Sequence, residues 1–285
     1  MLKHSFCILD GVAEKKEKEF WSKGIHSWED FIAKGDKIFE YEWFKLWSKQ
    51  INQLDRLINI NPLDALPFIQ RKWRWRLFPL LRESVGYLDL EMEMFEECKR
   101  ITCASVWDGF ELFQYVQGKN LTDLVSKILS KNMIITYGGK KHDFPLLCSQ
   151  LGLNYSGLHI DLSEFLPLIN VKGGLKSCEK YFNIDRGSLN LIDGLDAIWI
   201  WNKYKLENNE KYLDLLLQYN GLDAINLELL MIKAWNQITH NLPFADNVKL
   251  DEKNLTRINP VINQTILEET LQAKLKAKSI LLKEV

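Results

Sequence analysis

Four acidic positions and one phenol stand out as the residues that could do chemistry. Asp89 and Glu91 lie two apart at the end of Val85-Gly-Tyr-Leu-Asp-Leu-Glu91. That run reads as a buried strand, and a period of two puts both carboxylates on one face. Carboxylates so close repel each other and are costly to half-bury unless a divalent cation lies between them. A hard cation takes several oxygen ligands, so partners must come from elsewhere in the chain. Asp143 follows an apolar stretch at 133–137 through Gly138-Gly139-Lys140-Lys141-His142 and opens a helical pattern. It reads either as a ligand or as the cap of that helix. Tyr219 and Asp223 stand four apart in a helical pattern, which puts phenol and carboxylate on one face, as also happens on solvated helices.

These residues need a sheet to deliver them. Residues 101–107 and 111–116 flank Asp108-Gly109, a strong hairpin signal, and with 85–91 they give consecutive antiparallel strands. Further on, the pattern alternates between helix and strand: a helix over 121–129, a strand over 133–137, a helix over 144–151 and a strand over 158–162. Helices follow at 175–182, 193–204 and 210–238, the last interrupted in pattern by Gly221. The expected fold class is α/β, a mixed sheet of three antiparallel strands and then parallel strands, with helices on both faces. Residues 243–253 read as loop, and Thr265-Ile-Leu-Glu268 as a capping box that opens a last helix with Leu267, Leu271, Leu275 and Leu282 on one stripe.

Before the sheet lies a small helical region. Its apolar residues fall at helical spacing, as in Phe20, Trp21, Ile25, Trp28 and Phe31, then Phe39, Trp43, Leu46 and Trp47. Gly11 is free to take positive φ in a tight turn before the first helix. Two readings stay open for Arg71-Lys72-Trp73-Arg74-Trp75-Arg76. Alternating basic and aromatic residues can track phosphates while stacking on bases, and they also describe a strand with one solvated face. The expected organisation is a helical leader over 1–80, the α/β domain over 81–240, and a loop with a final helix over 241–285.

Composition sets broad limits. The chain has 285 residues, 46% hydrophobic and 26% charged, with a formal net charge of -1, which fits an ordinary folded protein without a global basic field. Affinity for nucleic acid would have to come from local patches and metal ions. The five cysteines are scattered, with no C-x-x-C pair, and read as reduced thiols. No apolar stretch approaches the roughly 18 residues of a membrane span, so the expectation is a cytoplasmic protein with no membrane partner.

In order and spacing, Asp89-x-Glu91, Asp143 after a Gly-Lys turn, and Tyr219-x-x-x-Asp223 resemble the ribonuclease H-like exonucleases of the DEDD superfamily. The likeness extends over about 85–233, and Gly174-Leu-Lys-Ser-Cys-Glu-Lys-Tyr-Phe-Asn-Ile184 and Tyr219-Asn-Gly-Leu-Asp-Ala-Ile-Asn-Leu-Glu228 are similar to the bacterial YprB-like branch. Residues 8–32 also resemble the short helix-hairpin-helix leader found before that domain, with Ala13 in place of its second glycine.

The resemblance implies that Asp89, Glu91, Asp143 and Asp223 hold two Mg²⁺ or Mn²⁺ ions and that Tyr219 orients the attacking water. Gln218 stands where the sister subclass has histidine, which implies the tyrosine subclass. The implied activity is removal of nucleotides from the 3′ ends of single-stranded DNA or RNA, with Lys140, Lys141, His142 and the 71–76 segment as candidate nucleic-acid contacts. Met92, Gly138 and His142 depart from the usual threonine, asparagine and phenylalanine, and Glu93, Glu96 and Glu97 add negative charge nearby. The alternative is a nucleic-acid-binding or scaffold module that keeps the fold with little turnover; internal cutting at the same site is a third reading.

Overall fold

The computed structural model describes residues 1–252 and 261–281. The chain forms two compact units. One is Met1–Ser84 with Trp235–Leu250, and the other is Val85–Ala234 with the described residues from Asp251 on.

The first unit holds helices α1 (Glu14–Ser22), α2 (Trp28–Lys34) and α3 (Tyr41–Ile60). On α3 the buried residues are Trp47, Ile51, Leu54 and Ile58, one stripe at helical spacing. Irregular backbone at the start of the chain is tied down by indoles: Trp21 donates to the His4 carbonyl, Trp28 to Ser5 and Trp47 to Asp10. Gly11 takes a φ of 72°. At Arg71–Leu77 the structure departs from both sequence readings, because the segment is a 3-10 helix. Its Trp73, Trp75 and Arg76 are buried, so they are not available for base stacking or phosphate contact, while Arg71 and Lys72 stay exposed. Arg76 is held inside by Glu17: its Nη1 and Nη2 donate to the two carboxylate oxygens at 2.7 and 2.9 Å. Arg74 donates to the carbonyls of Leu66 and Ile69. Ala245–Val248 forms one helical turn where loop was expected.

The second unit is built on a five-stranded mixed sheet in the order β3-β2-β1-β4-β5. Its strands are β1 (Val85–Phe95), β2 (Cys98–Trp107), β3 (Leu112–Val116), β4 (Met133–Thr136) and β5 (Leu158–Asp161). β1 pairs antiparallel with β2 and parallel with β4; β2–β3 is antiparallel and β4–β5 parallel. Between β3 and β5 run α4 (Leu124–Leu129) and α5 (Asp143–Leu151), followed by α6 (Leu175–Tyr181), α7 (Gly194–Glu207), α8 (Glu210–Thr239), whose residues from Trp235 on belong to the first unit, and α9 (Gln264–Leu281).

Alternation along the strands sorts the two faces. Leu88, Leu90, Ala104 and Val106 pack with Leu124, Ile128 and Leu147 from α4 and α5. Cys103 and Val116, on the opposite face, pack with Ile200, Leu216, Tyr219 and Ile266 from α7, α8 and α9. Asp89 pairs with Ser105 and Glu91 with Cys103, so both acids look toward α8.

Two turns differ in detail from expectation. The Asp108-Gly109 hairpin is a four-residue loop in which the Asp108 carboxylate accepts from the backbone of Phe110 and Glu111. The β1–β2 hairpin turns at Glu96-Glu97, both at positive φ (46° and 64°). These glutamates sit five and six residues beyond Glu91, roughly 17 Å or more along the strand, and Glu93 is paired with Lys205. Of the three added negative charges, Glu96 and Glu97 are therefore removed from the Asp89 end, while Glu93 stays close to Glu91 with Lys205 as its counter-ion. The last helix begins at Gln264, with the Asn263 side chain accepting from Ile266, so Asn263 and not Thr265 caps it. Leu267 is buried and Leu271 packs beside it, Leu275 is exposed, and Leu282 lies outside the described residues.

Candidate metal centre

β1 supplies two carboxylates at its centre. The β1–β2 register shifts between Glu91 and Met92, a bulge that bends the ladder just past the second acid. Helix α8 crosses the same face and brings in a third. It runs without a break through Gly221, whose missing side chain lets the helix lie close on the sheet: a Cβ there would lie 2.8 Å from Leu112 Cδ2 and 3.1 Å from Gln114 Nε2. Gln114 donates to the Leu217 carbonyl at 2.7 Å, and Trp107 Nε1 to Glu228 at 2.8 Å, pinning the helix on either side. Between those anchors, Asn220 Nδ2 donates to Asp89 Oδ2 at 2.7 Å.

Ligand oxygens of Asp89, Glu91 and Asp223 come within 4.8 Å of one another. Asp143 is close enough for its charge to act on Asp89 and Glu91, yet its oxygens fall outside that set. It is the buried first residue of α5, with His142 at the cap position and no side-chain cap bond, so it is not the helix cap. The turn before it is fixed by Asp161, which accepts from the backbone of Gly138 at 2.7 Å and Lys140 at 3.0 Å. That turn leaves the side chains of Lys140, Lys141 and His142 exposed, with Lys140 on Glu164.

Burial pushes the carboxyls of Asp89 and Glu91 well above the ordinary range, and the neighbouring Asp223 charge adds to the shift in both. Desolvation likewise raises Asp143 to about 7, helped by Asp161. Asp223 rises to about 6 for the same first reason, although the Arg186 guanidinium opposes it. Tyr219, buried one helical turn before Asp223, is pushed above the ordinary phenol range by desolvation and then by the Asp223 charge. Three converging carboxylates, Asp89 tethered by an amide and Asp223 by a guanidinium, carry excess negative charge, and an all-oxygen set of this kind fits a hard divalent cation.

Sequence reasoning missed the tethers. Asn220 sits inside the motif beside Tyr219, where its neighbourhood was visible. Arg186 gave no local signal: it lies in the turn after α6, is nearly fully buried, and pairs with both Glu179 and Asp223. Among the described residues, no helix is long and apolar enough to cross a membrane.

No curated protein and no solved structure matches the chain significantly. The family model of the RNase H superfamily matches residues 86–235, just over half of the chain and all of the sheet but its first residue. Mixed sheet, paired acids on β1 and a third acid on α8 all fall inside that match, and the chain belongs to the RNase H superfamily.

Proposed function

We propose that this chain is a metal-dependent 3′-to-5′ exonuclease of the tyrosine subclass of the DEDD group, in its YprB-like branch, hydrolysing phosphodiester bonds of single-stranded DNA or RNA. The observation that carries the reading is the convergence of Asp89, Glu91 and Asp223 with Tyr219 one turn earlier on the same helix. Superfamily membership supports nucleic-acid hydrolysis in general; the direction and end preference are our inference from the motif order.

Asp89, Glu91 and Asp223 would hold Mg²⁺ or Mn²⁺, with Asp143 as the outlying fourth acid of a two-ion site. Such ions supply a nucleophile near neutral pH and Lewis acidity at the phosphoryl oxygens. The protein's own part is positional. The Tyr219 phenol, held protonated by burial, orients water through a hydrogen bond and does not act as the base. A pocket of about 510 Å³ is lined by Lys176 and Lys180 together with the acids Glu179 and Asp185, and Lys140, Lys141 and His142 are exposed near Asp143; the lysines and His142 are the groups that suit an incoming phosphate chain. The five unpaired cysteines suit a reducing compartment, and we place the protein in the cytoplasm.

The test is digestion of a 5′-labelled single-stranded DNA and its RNA counterpart with Mn²⁺, comparing wild type with Asp89→Ala and Tyr219→Phe. The expected result is a ladder shrinking from the 3′ end, abolished by Asp89→Ala and slowed about 10²-fold by Tyr219→Phe through loss of water positioning. Intact substrate with folded wild-type protein that still binds nucleic acid would replace this reading with the scaffold alternative.

A further inference from the structure

Arg186 is a buried cation in contact with the acid cluster. Its Nη1 donates to both oxygens of Glu179, at 2.8 and 2.9 Å, and its Nη2 pairs with Asp223 Oδ1. Side-chain exposure is 2% for Arg186, 1% for Glu179 and 8% for Asp223, so the three form one closed network. Asn226, one turn past Asp223 on α8, completes it by donating to Glu179 at 2.8 Å. Burying a guanidinium and a carboxylate together is seldom a net gain over apolar packing, so stability alone is a weak reason for the pair. The link from Glu179 through Arg186 to Asp223 is a stronger one.

We propose that Arg186 is a positioning residue for the metal centre: anchored by Glu179, it fixes one oxygen of Asp223 and leaves the other turned to the ion. The inference rests on the metal-site reading above. Asn220, on the helix that carries Asp223, does the same for Asp89, so each of these two carboxylates is tethered before an ion arrives. A planar fork is what the task requires, because a lysine ammonium cannot grip the two Glu179 oxygens and Asp223 in one fixed geometry. Tethers of this kind set the orientation of a ligand, and their loss typically weakens metal binding about 10- to 100-fold.

A competing role is that of a placeholder, a cation that fills the site until metal displaces it. The two predict opposite signs. Mn²⁺ affinity, read calorimetrically on substrate-free full-length protein, is expected to fall at least about 10-fold in Arg186→Gln and in the charge-balanced pair Glu179→Gln/Arg186→Gln, with Arg186→Lys weakened as well. Unchanged or tighter Mn²⁺ binding in any of these variants that retains the wild-type circular dichroism overturns the proposal. The paired variant carries the test if the single one leaves Glu179 unpaired and does not fold.

Wild-type protein labelled at arginine gives a measurement that needs no variant. Among the described residues Arg76 and Arg186 are the arginines buried against carboxylates, and the slowly exchanging guanidinium signal of Arg186 is expected to persist at saturating Mg²⁺; its collapse on metal binding, with that of Arg76 unchanged, would make Arg186 a placeholder. Failure of the metal-site reading looks different: wild type would bind no Mn²⁺, or Asp223→Asn would bind it as tightly as wild type.

Discussion

Asp89→Asn should make the metal-free protein more stable while removing its response to metal. Amide for carboxylate keeps an oxygen to accept the Asn220 hydrogen bond, so the change removes charge and little else. With ligand oxygens within 4.8 Å, two unit charges at an effective dielectric constant of about 20 repel by roughly 3.5 kcal/mol. Asp89 faces two such neighbours, but near neutral pH the cluster already holds protons, and the surviving gain is about 2 kcal/mol.

For a domain of this size that is a rise in Tm of roughly 4 to 8 °C. The assay is thermal unfolding in EDTA and in Mn²⁺ at pH 8 and pH 5. In EDTA at pH 8 the variant should melt higher; in Mn²⁺ the order should reverse, because only wild type gains the full binding energy. The pH arm follows from the raised carboxyls. An acid whose folded pKa lies above its unfolded value contributes stability that is present below about 4 and lost as pH rises through the folded value. With Asp223 at about 6 and Asp143 at about 7, metal-free wild type should weaken between pH 5 and pH 8, and the gain from Asp89→Asn should shrink at pH 5. A variant that melts at or below wild type in EDTA at pH 8 would refute the electrostatic reasoning.

In the first unit, Glu17→Gln should destabilise by about 3 to 5 kcal/mol, since it strands the Arg76 guanidinium in a buried site. Denaturant unfolding checks it, and a loss below about 1 kcal/mol would mean that water or a neighbour replaces the carboxylate. At the turn before Asp143, a Cβ on Gly139 would fall 2.5 to 2.8 Å from three atoms of the buried, β-branched Thr136. Gly139→Ala should therefore cost about 1 to 3 kcal/mol, read as a lower unfolding midpoint.

What could be read from the chain was whatever depends on local period. The alternation in 85–91 and 101–107 placed the central strands and put Asp89 and Glu91 on one face, and the four-residue spacing put Tyr219 with Asp223. The same signal misled at 71–76, where Trp73, Trp75 and Leu77 alternate like a strand but belong to a 3-10 helix. Arg76 goes inside because of Glu17, which is 59 residues away and invisible to any local pattern. The turn at Glu96-Glu97 was hidden for another reason: two glutamates take left-handed backbone where glycine or asparagine is the usual signal. Arg186 resembles Arg76 in this respect, a buried arginine whose place is set by its carboxylate partners Glu179 and Asp223.

The electrostatics also bear on whether the fold serves catalysis or only binding. A scaffold that used this domain for shape alone would have no need of Asp89, Glu91 and Asp223 at such close range, because amides at those positions would relieve the repulsion and stabilise the fold. The excess charge is also tethered where it stands: Asn220 holds Asp89, Arg186 holds Asp223, and Gly221 lets α8 come near enough for both. Strain that is kept and positioned belongs to a site that is relieved by a ligand. A hard cation fits an all-oxygen cluster of this kind, and in the proposed reading Tyr219, one turn before Asp223 on the same helix, is the group that would orient water.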